Sequence, residues 1–245
     1  MRTPADVLAD LVRADPTAPR LTAYDDTPSG GGERIELSAK VLANWVAKAA
    51  NALQEEWDVE PGTRVRLLLP PHWRLAYWAY AVWSVGAAVD LTGGDGGAGG
   101  RDVSVTVSDD PAVVAEADGE RVLVTLAALA RRSPVPVPTG AIDEAASIAT
   151  YADQFDAWAS PAATDVAVVD SSGEATTYGS WPSPALEVPP GARVHTATAD
   201  PATFLRQLHA AWSAGGSLVL SRGAAGRDVA ARLASEGVTV DLAAG

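Results

Sequence analysis

The residues whose type and spacing best suit chemistry are Ser171, Ser172, Gly173, Thr176 and Thr177, which follow an apolar run within 165–169. A short β-branched run opening onto hydroxyls and glycine predicts a buried strand whose end presents backbone N–H groups and side-chain hydroxyls, the makings of a phosphate cradle. A phosphate loop normally adds a cation that follows the anion. No lysine or arginine lies between Arg132 and Arg193, and Glu174 adds a carboxylate to the loop. At about 4 Å and an effective dielectric near 20, one unit-charge repulsion costs ~4 kcal/mol. Tight phosphate binding is therefore not expected.

Other chemistry finds less support. His72, His195 and His209 are scattered, with no i, i+4 pair, so no metal site is expected and each reads as a capping or surface histidine. There is no G-x-S-x-G elbow, so a hydrolase reading fails at its nucleophile. Asp25-Asp26 and Asp109-Asp110 read as turn formers and caps, and Arg131-Arg132 as a pair offsetting a helix dipole. The only lysines are Lys40 and Lys48, which excludes Schiff-base chemistry from the rest of the chain. Gly94, Gly96 and Gly99 satisfy G-x-G-x-x-G but lead into a strand pattern at 103–107, where the fingerprint needs a helix, so a surface loop is expected. Trp73, Tyr77 and Tyr80 form an aromatic stripe read as core packing against a sheet.

At 245 residues and 47% hydrophobic, the chain can bury a sizeable core. A net charge of −13 repels nucleic acid and anionic lipid, so neither is an expected partner. Asp6 and Asp10 interrupt the apolar run a signal peptide needs and no stretch is long and apolar enough for a membrane span, so a cytoplasmic protein is expected; the absence of cysteine excludes disulfides and thiolate zinc sites and leaves the redox compartment open.

Periodicity predicts helices at 6–14, 38–57 (capped by Ser38), 72–85, 111–117, weakly at 143–158, then 201–213 and 227–235. Strands are predicted at 21–24, 34–37, 65–69, 87–91, 103–107, 122–126, 165–169, 193–198, 218–220 and 238–242, with another turn of helix at 126–131. The alternation implies an α/β fold: a mostly parallel sheet with helices on both faces plus a small N-terminal hairpin, in a single domain over 1–245. The proline-rich stretch near 133–140 reads as a stiff internal linker.

Several segments carry a resemblance. Glu33-Arg34-Ile35-Glu36-Leu37-Ser38, Val59-Glu60-Pro61-Gly62-Thr63-Arg64-Val65, Leu67-Leu68-Leu69-Pro70 and 83–91, with a thinner match at 215–220 and 229–240, resemble the N-terminal part of the AMP-forming adenylating enzymes, the acyl-CoA synthetase superfamily. The resemblance implies that superfamily's N-terminal lobe, with 165–179 at its phosphate loop. Ser172-Gly173 matches the loop's serine-glycine pair and Ser171 the hydroxyl before it. Glu174-Ala175 stands in place of two hydroxyl residues, Thr176 in place of a glycine, and Gly179 in place of the lysine. The adenine-stacking aromatic motif, the ribose-binding aspartate and the C-terminal lobe have no counterpart. The expectation is a truncated, degenerate relative: a non-catalytic or accessory protein without a cofactor, binding a partner protein, a second copy of itself, or a small carboxylate or nucleotide. The alternative is a residual AMP-forming ligase holding ATP or AMP with magnesium on Ser171, Ser172, Gly173, Thr176 and Thr177. A shortened sheet is also expected to leave 218–220 or 238–242 at a subunit contact or under a loop.

Overall fold

Local signals set the N-terminal elements. The Thr3 hydroxyl accepts from the Asp6 N–H while the Asp6 carboxylate accepts from the Thr3 N–H, a capping box that starts α1 (Pro4–Ala14). β1 (Pro19–Asp25) and β2 (Glu33–Ser38) pair antiparallel, and the Ser38 hydroxyl caps α2 (Ala39–Asn51), which runs on as a π-helical turn, Ala52–Glu56. The computed structural model describes residues 1–93, 103–223 and 228–243. The glycine fingerprint at Gly94, Gly96 and Gly99 lies outside the described residues.

The remaining elements follow as β3 (Arg64–Leu68), α3 (Trp73–Ser84), β4 (Ala88–Asp90), β5 (Val103–Ser108), α4 (Pro111–Glu116), β6 (Glu120–Leu123), β7 (Ile142–Asp143), α5 (Glu144–Ser147), β8 (Val166–Val169) and β9 (Ala175–Thr177). The chain continues through β10 (Arg193–Thr196), α6 (Pro201–Ser213), β11 (Ser217–Arg222), α7 (Val229–Ser235) and β12 (Val240–Asp241). The strands divide into two sheets, ordered β12-β10-β11-β1-β2 and β7-β6-β5-β3-β4-β8-β9, parallel throughout except at the β1/β2 and β8/β9 hairpins. The predicted N-terminal hairpin is thus no separate unit: β1 pairs parallel with β11, Leu21 opposite Leu218 through Asp25 opposite Arg222.

That pairing removes one arm of the expectation that 218–220 or 238–242 flanks the sheet. Residues 218–220 are fully buried between β10 and β1, so they form the middle of a sheet rather than a flank. The edges are β2 and β12, and in β12 Val240 is half-buried and Asp241 exposed.

α3 packs on the seven-stranded sheet, α6 on the five-stranded one, and the two helices meet through Tyr80 and Trp212, ring centroids 4.7 Å apart. Each is tied to its sheet by an indole: Trp83 Nε1 donates to the Ala167 carbonyl and Trp212 Nε1 to that of Arg20, both at 2.9 Å. Residues 73–83 are buried without a break, as in a helix enclosed on all sides, so the Trp73, Tyr77, Tyr80 stripe is core.

Two other expectations change. In 143–158 only Glu144–Ser147 and the 3-10 turn Ile148–Thr150 are helical. Beyond them the chain lies along α2, where polar side chains take over its backbone bonding. Asn51 Nδ2 donates to the carbonyls of Ala152 (3.0 Å) and Gln154 (2.8 Å), Gln54 Nε2 donates to that of Asp156 (3.1 Å), and Gln54 Oε1 accepts from the Trp158 N–H (2.9 Å). Residues 126–131 form turns, not helix, so exposed Arg131 and Arg132 offset no helix dipole.

Candidate functional site

The loop predicted to hold phosphate is the tight turn of the β8–β9 hairpin. Asp170, the first residue past β8, folds its carboxylate back into the turn. Its Oδ1 accepts from the Ser172 N–H (2.9 Å), the Ser172 hydroxyl (2.6 Å) and the Glu174 N–H (3.1 Å). The Gly173 N–H donates to the Asp170 carbonyl at 3.0 Å, with Gly173 at φ +86, a conformation that favours glycine. Burial alone would raise the Asp170 carboxyl, but the donors from Ser172 and Glu174 outweigh it and hold the group below the usual carboxylate range. The backbone nest is real, and the loop's own carboxylate fills it.

The predicted site residues separate accordingly. Ser171, Ser172 and Gly173 come together in the exposed turn, whereas Thr176 and Thr177 lie on the returning strand, Thr176 opposite Val168 and the Thr177 hydroxyl 3.1 Å from that of Ser180. Glu174 is exposed; the carboxylate inside the nest is that of Asp170. At Gly179, where the resemblance puts a lysine, a Cβ would lie 2.8 Å from the Ala163 carbonyl oxygen, so a side chain there would displace backbone. Two remote arginines are engaged elsewhere. Arg193 is bonded to Glu236, Thr22 and Ser217, and Arg222 to Asp25 at 2.6 Å. With the Ser172, Gly173 and Glu174 donors already taken by Asp170, the nest does not fit a nucleoside triphosphate.

The histidines occupy buried positions. His72 is the predicted cap, its Nδ1 accepting from the Arg74 N–H at 3.3 Å. Burial, reinforced by Arg222 and Arg74, pushes its pKa down to about 3. His209 is a core residue beside the Tyr80 hydroxyl (3.3 Å), and burial pushes it down to about 4. His195 lies between Asp241 (Nδ1 to Oδ1, 2.7 Å) and Ser221 (Nε2 to Oγ, 3.1 Å). Neither His195 nor His209 is therefore a surface residue.

The Asp-His-Ser chain escaped sequence reasoning because its members are up to 46 residues apart and meet only through strand order: Asp241 pairs with His195, and Ser221 stands one same-face step beyond the Val219 that pairs with His195. The polar alternation Thr22, Tyr24 and Arg193, His195 was the available signal, marking one polar sheet face. His195 and Ser221 are only 1% and 2% exposed, and Arg232 of α7 approaches the Ser221 hydroxyl at 3.4 Å. The chain joins β12, β10 and β11, and a substrate has no approach to the serine.

Asp25 and Asp26 both form ion pairs, with Arg222 (2.6 Å) and Arg232 (2.7 Å), and Asp110 caps α4 through the Ala112 N–H (2.8 Å). Asp109 instead lines a cavity of about 350 Å³ at the carboxyl ends of β5 and β6, beneath the β1–β2 turn. Burial raises the Asp109 carboxyl above its ordinary value. Among the described residues no group of three or more His, Asp or Glu side chains is placed to hold a metal ion, and no helix is long and apolar enough to cross a membrane.

No family model matches the chain. Over 158 residues it is 37% identical to a TIGR03089 family protein of Mycobacterium tuberculosis, covering 61% of this chain and 60% of that protein. Among solved structures it superposes on the N-terminal domain of FACL13 from Mycobacterium tuberculosis (TM-score 0.69, 16% identity, 98% of this chain, 62% of that one). It also matches a Brucella canis acyl-CoA synthetase (TM-score 0.71, 17% identity, 98% and 46%) and a Mycobacterium tuberculosis fatty acyl CoA synthetase (TM-score 0.68, 17% identity, 98% and 49%). The chain thus spans 60% of the curated relative and about half to three fifths of these structures. In its two sheets and the helices packed between them, this chain has the fold of the N-terminal region of the acyl-CoA synthetases and related adenylating enzymes.

Proposed function

We propose that this acyl-CoA-synthetase-like chain is a non-catalytic, accessory protein that does not activate a carboxylate with ATP and acts by binding. One observation carries the reading: the Asp170 carboxylate accepts the N–H groups of Ser172 and Glu174 together with the Ser172 hydroxyl, the donors a phosphate would need. A phosphate entering the turn has to displace a bonded carboxylate and then sit beside it, and the like-charge repulsion of ~4 kcal/mol at contact distance offsets most of what the backbone donors return. The exclusion of a side chain at Gly179 supports the same reading.

Titration calorimetry with ATP and with AMP, each with and without magnesium, tests it. No saturable heat is expected from either nucleotide. Saturable micromolar binding that disappears in Ser172→Asp would overturn the proposal and favour the residual AMP-forming ligase.

A further inference from the structure

We propose that the cavity at the carboxyl ends of β5 and β6 binds a small organic cation, a primary ammonium group carried on a short apolar body. The inference is independent of whether the β8–β9 turn takes a nucleotide. The carboxyl ends of parallel strands are where open α/β sheets place ligands, and about 350 Å³ falls within the range of small-molecule sites.

The wall carries Asp25, Glu33 and Asp109 and no basic side chain. Asp25 is balanced by Arg222 at 2.6 Å, and the Glu33 oxygens accept only the neutral Ala128 N–H at 3.1 and 3.2 Å. Asp109 has no ion-pair partner among the described residues. Arg222 also acts on Asp109 from beyond contact distance, yet three carboxylates stand against that one guanidinium, so the cavity keeps a net negative charge in a partly desolvated place, and a charge so placed recruits a cation.

A second, separate feature lies in the same wall. Thr125 is only 9% exposed, and its hydroxyl makes no hydrogen bond among the described residues yet is not one of the fully enclosed unpaired atoms, so it keeps access to the cavity it lines. An ammonium has three donors and no acceptor. Asp109, the free lone pairs of Glu33 and the Thr125 hydroxyl supply three acceptors, while Leu126, Pro134 and Val135 supply an apolar surface for a short carbon chain. A metal ion fits less well, since divalent cations require several converging ligands and no such group is present among the described residues.

Ligand-observed NMR on the full chain tests the proposal with n-butylamine, benzylamine, cyclohexylamine and cadaverine, against n-butanol and butyrate. At neutral pH at least one amine is expected to bind saturably, and neither the alcohol nor the carboxylate. Asp109→Asn, which keeps the shape, is expected to weaken that amine about tenfold, the scale of one charge-assisted hydrogen bond. Thr125→Val is expected to weaken it severalfold. Failure of all four amines, equal binding of n-butanol, or unchanged amine binding in Asp109→Asn each overturns the proposal. The thermal midpoints of both variants, expected within a few degrees of the parent, separate loss of the site from loss of fold.

Discussion

Asp170 shows how one side chain decides what a loop can do. It gives the β8–β9 turn the same bonds an anion would give it, so the turn is ordered without a ligand. Replacing it should loosen the turn: Asp170→Ala is expected to lower stability by about 1 kcal/mol in urea titration, the net worth of a lost hydrogen bond with partners that water can re-satisfy. The buried histidines set a pH dependence. His72 and His209 stay neutral in the folded protein down to about 3 and about 4, whereas in the unfolded chain they take a proton near 6.5. Between those values the unfolded state binds more protons, so stability is full above about pH 6.5 and falls as the pH drops, by roughly 1.4 kcal/mol per pH unit for each histidine. Urea midpoints taken from pH 7.5 to 4.5 should show that decline, and His72→Asn, which keeps a capping acceptor, should remove about half of the slope. Arg74 and Glu144 are 2% and 0% exposed and bonded at 2.7 and 2.8 Å. Glu144→Ala strands the guanidinium and is expected to cost about 3–5 kcal/mol by the same titration.

Among the elements, α3 and α7 are opposites. α3 is enclosed by α1, α2, α6 and the strands β3 and β4, while α7 has no buried residue and is held by polar contacts: Arg232 to Asp26 (2.7 Å) and over the Tyr24 ring (4.0 Å), with Glu236 joined to Arg34, Arg193 and the Tyr24 hydroxyl. With seven residues and no buried side chain of its own, α7 depends on these polar ties and is too short to persist alone. Hydrogen exchange should therefore find α7 opening locally, its amides exchanging at least ~100-fold faster than those of α3 at neutral pH. Only the α3 half of this contrast was plain in sequence, since Trp73–Ser84 is apolar on nearly every side, whereas Val229–Ser235 carries Val229, Ala230, Ala231, Leu233 and Ala234 and buries none of them. The failure at 143–158 has an equally local cause seen from the wrong side: the side chains that hold 151–158 extended are Asn51 and Gln54 on α2, about a hundred residues earlier.

For the whole molecule, one continuous core runs through both sheets, taking in Leu21, Val194 and Leu218 from one and Val65, Val105 and Val168 from the other. Urea unfolding followed by tryptophan fluorescence and by far-UV circular dichroism should give one coincident transition; two separated transitions would show that the proline-rich 133–140 stretch divides independent units. A net charge of −13 remains spread over the surface, and the protein is expected to pass through a heparin column unretained at low salt.

The linear chain determined on its own what depends on neighbours a few residues apart: the capped helices, the β-branched strands, the alternation that makes an α/β fold, and the missing lysine of the phosphate loop. It left undecided whatever depends on which strand lies beside which. β1 joins β11 across nearly two hundred residues, His195 finds Asp241 and Ser221 only because β10 runs between their strands, and Asp109, Glu33 and Thr125 share a cavity only because the β1–β2 turn reaches over to the other sheet. Periodicity reports which face of an element is apolar. The identity of the element that covers that face is settled by packing, which the order of residues along the chain does not encode locally.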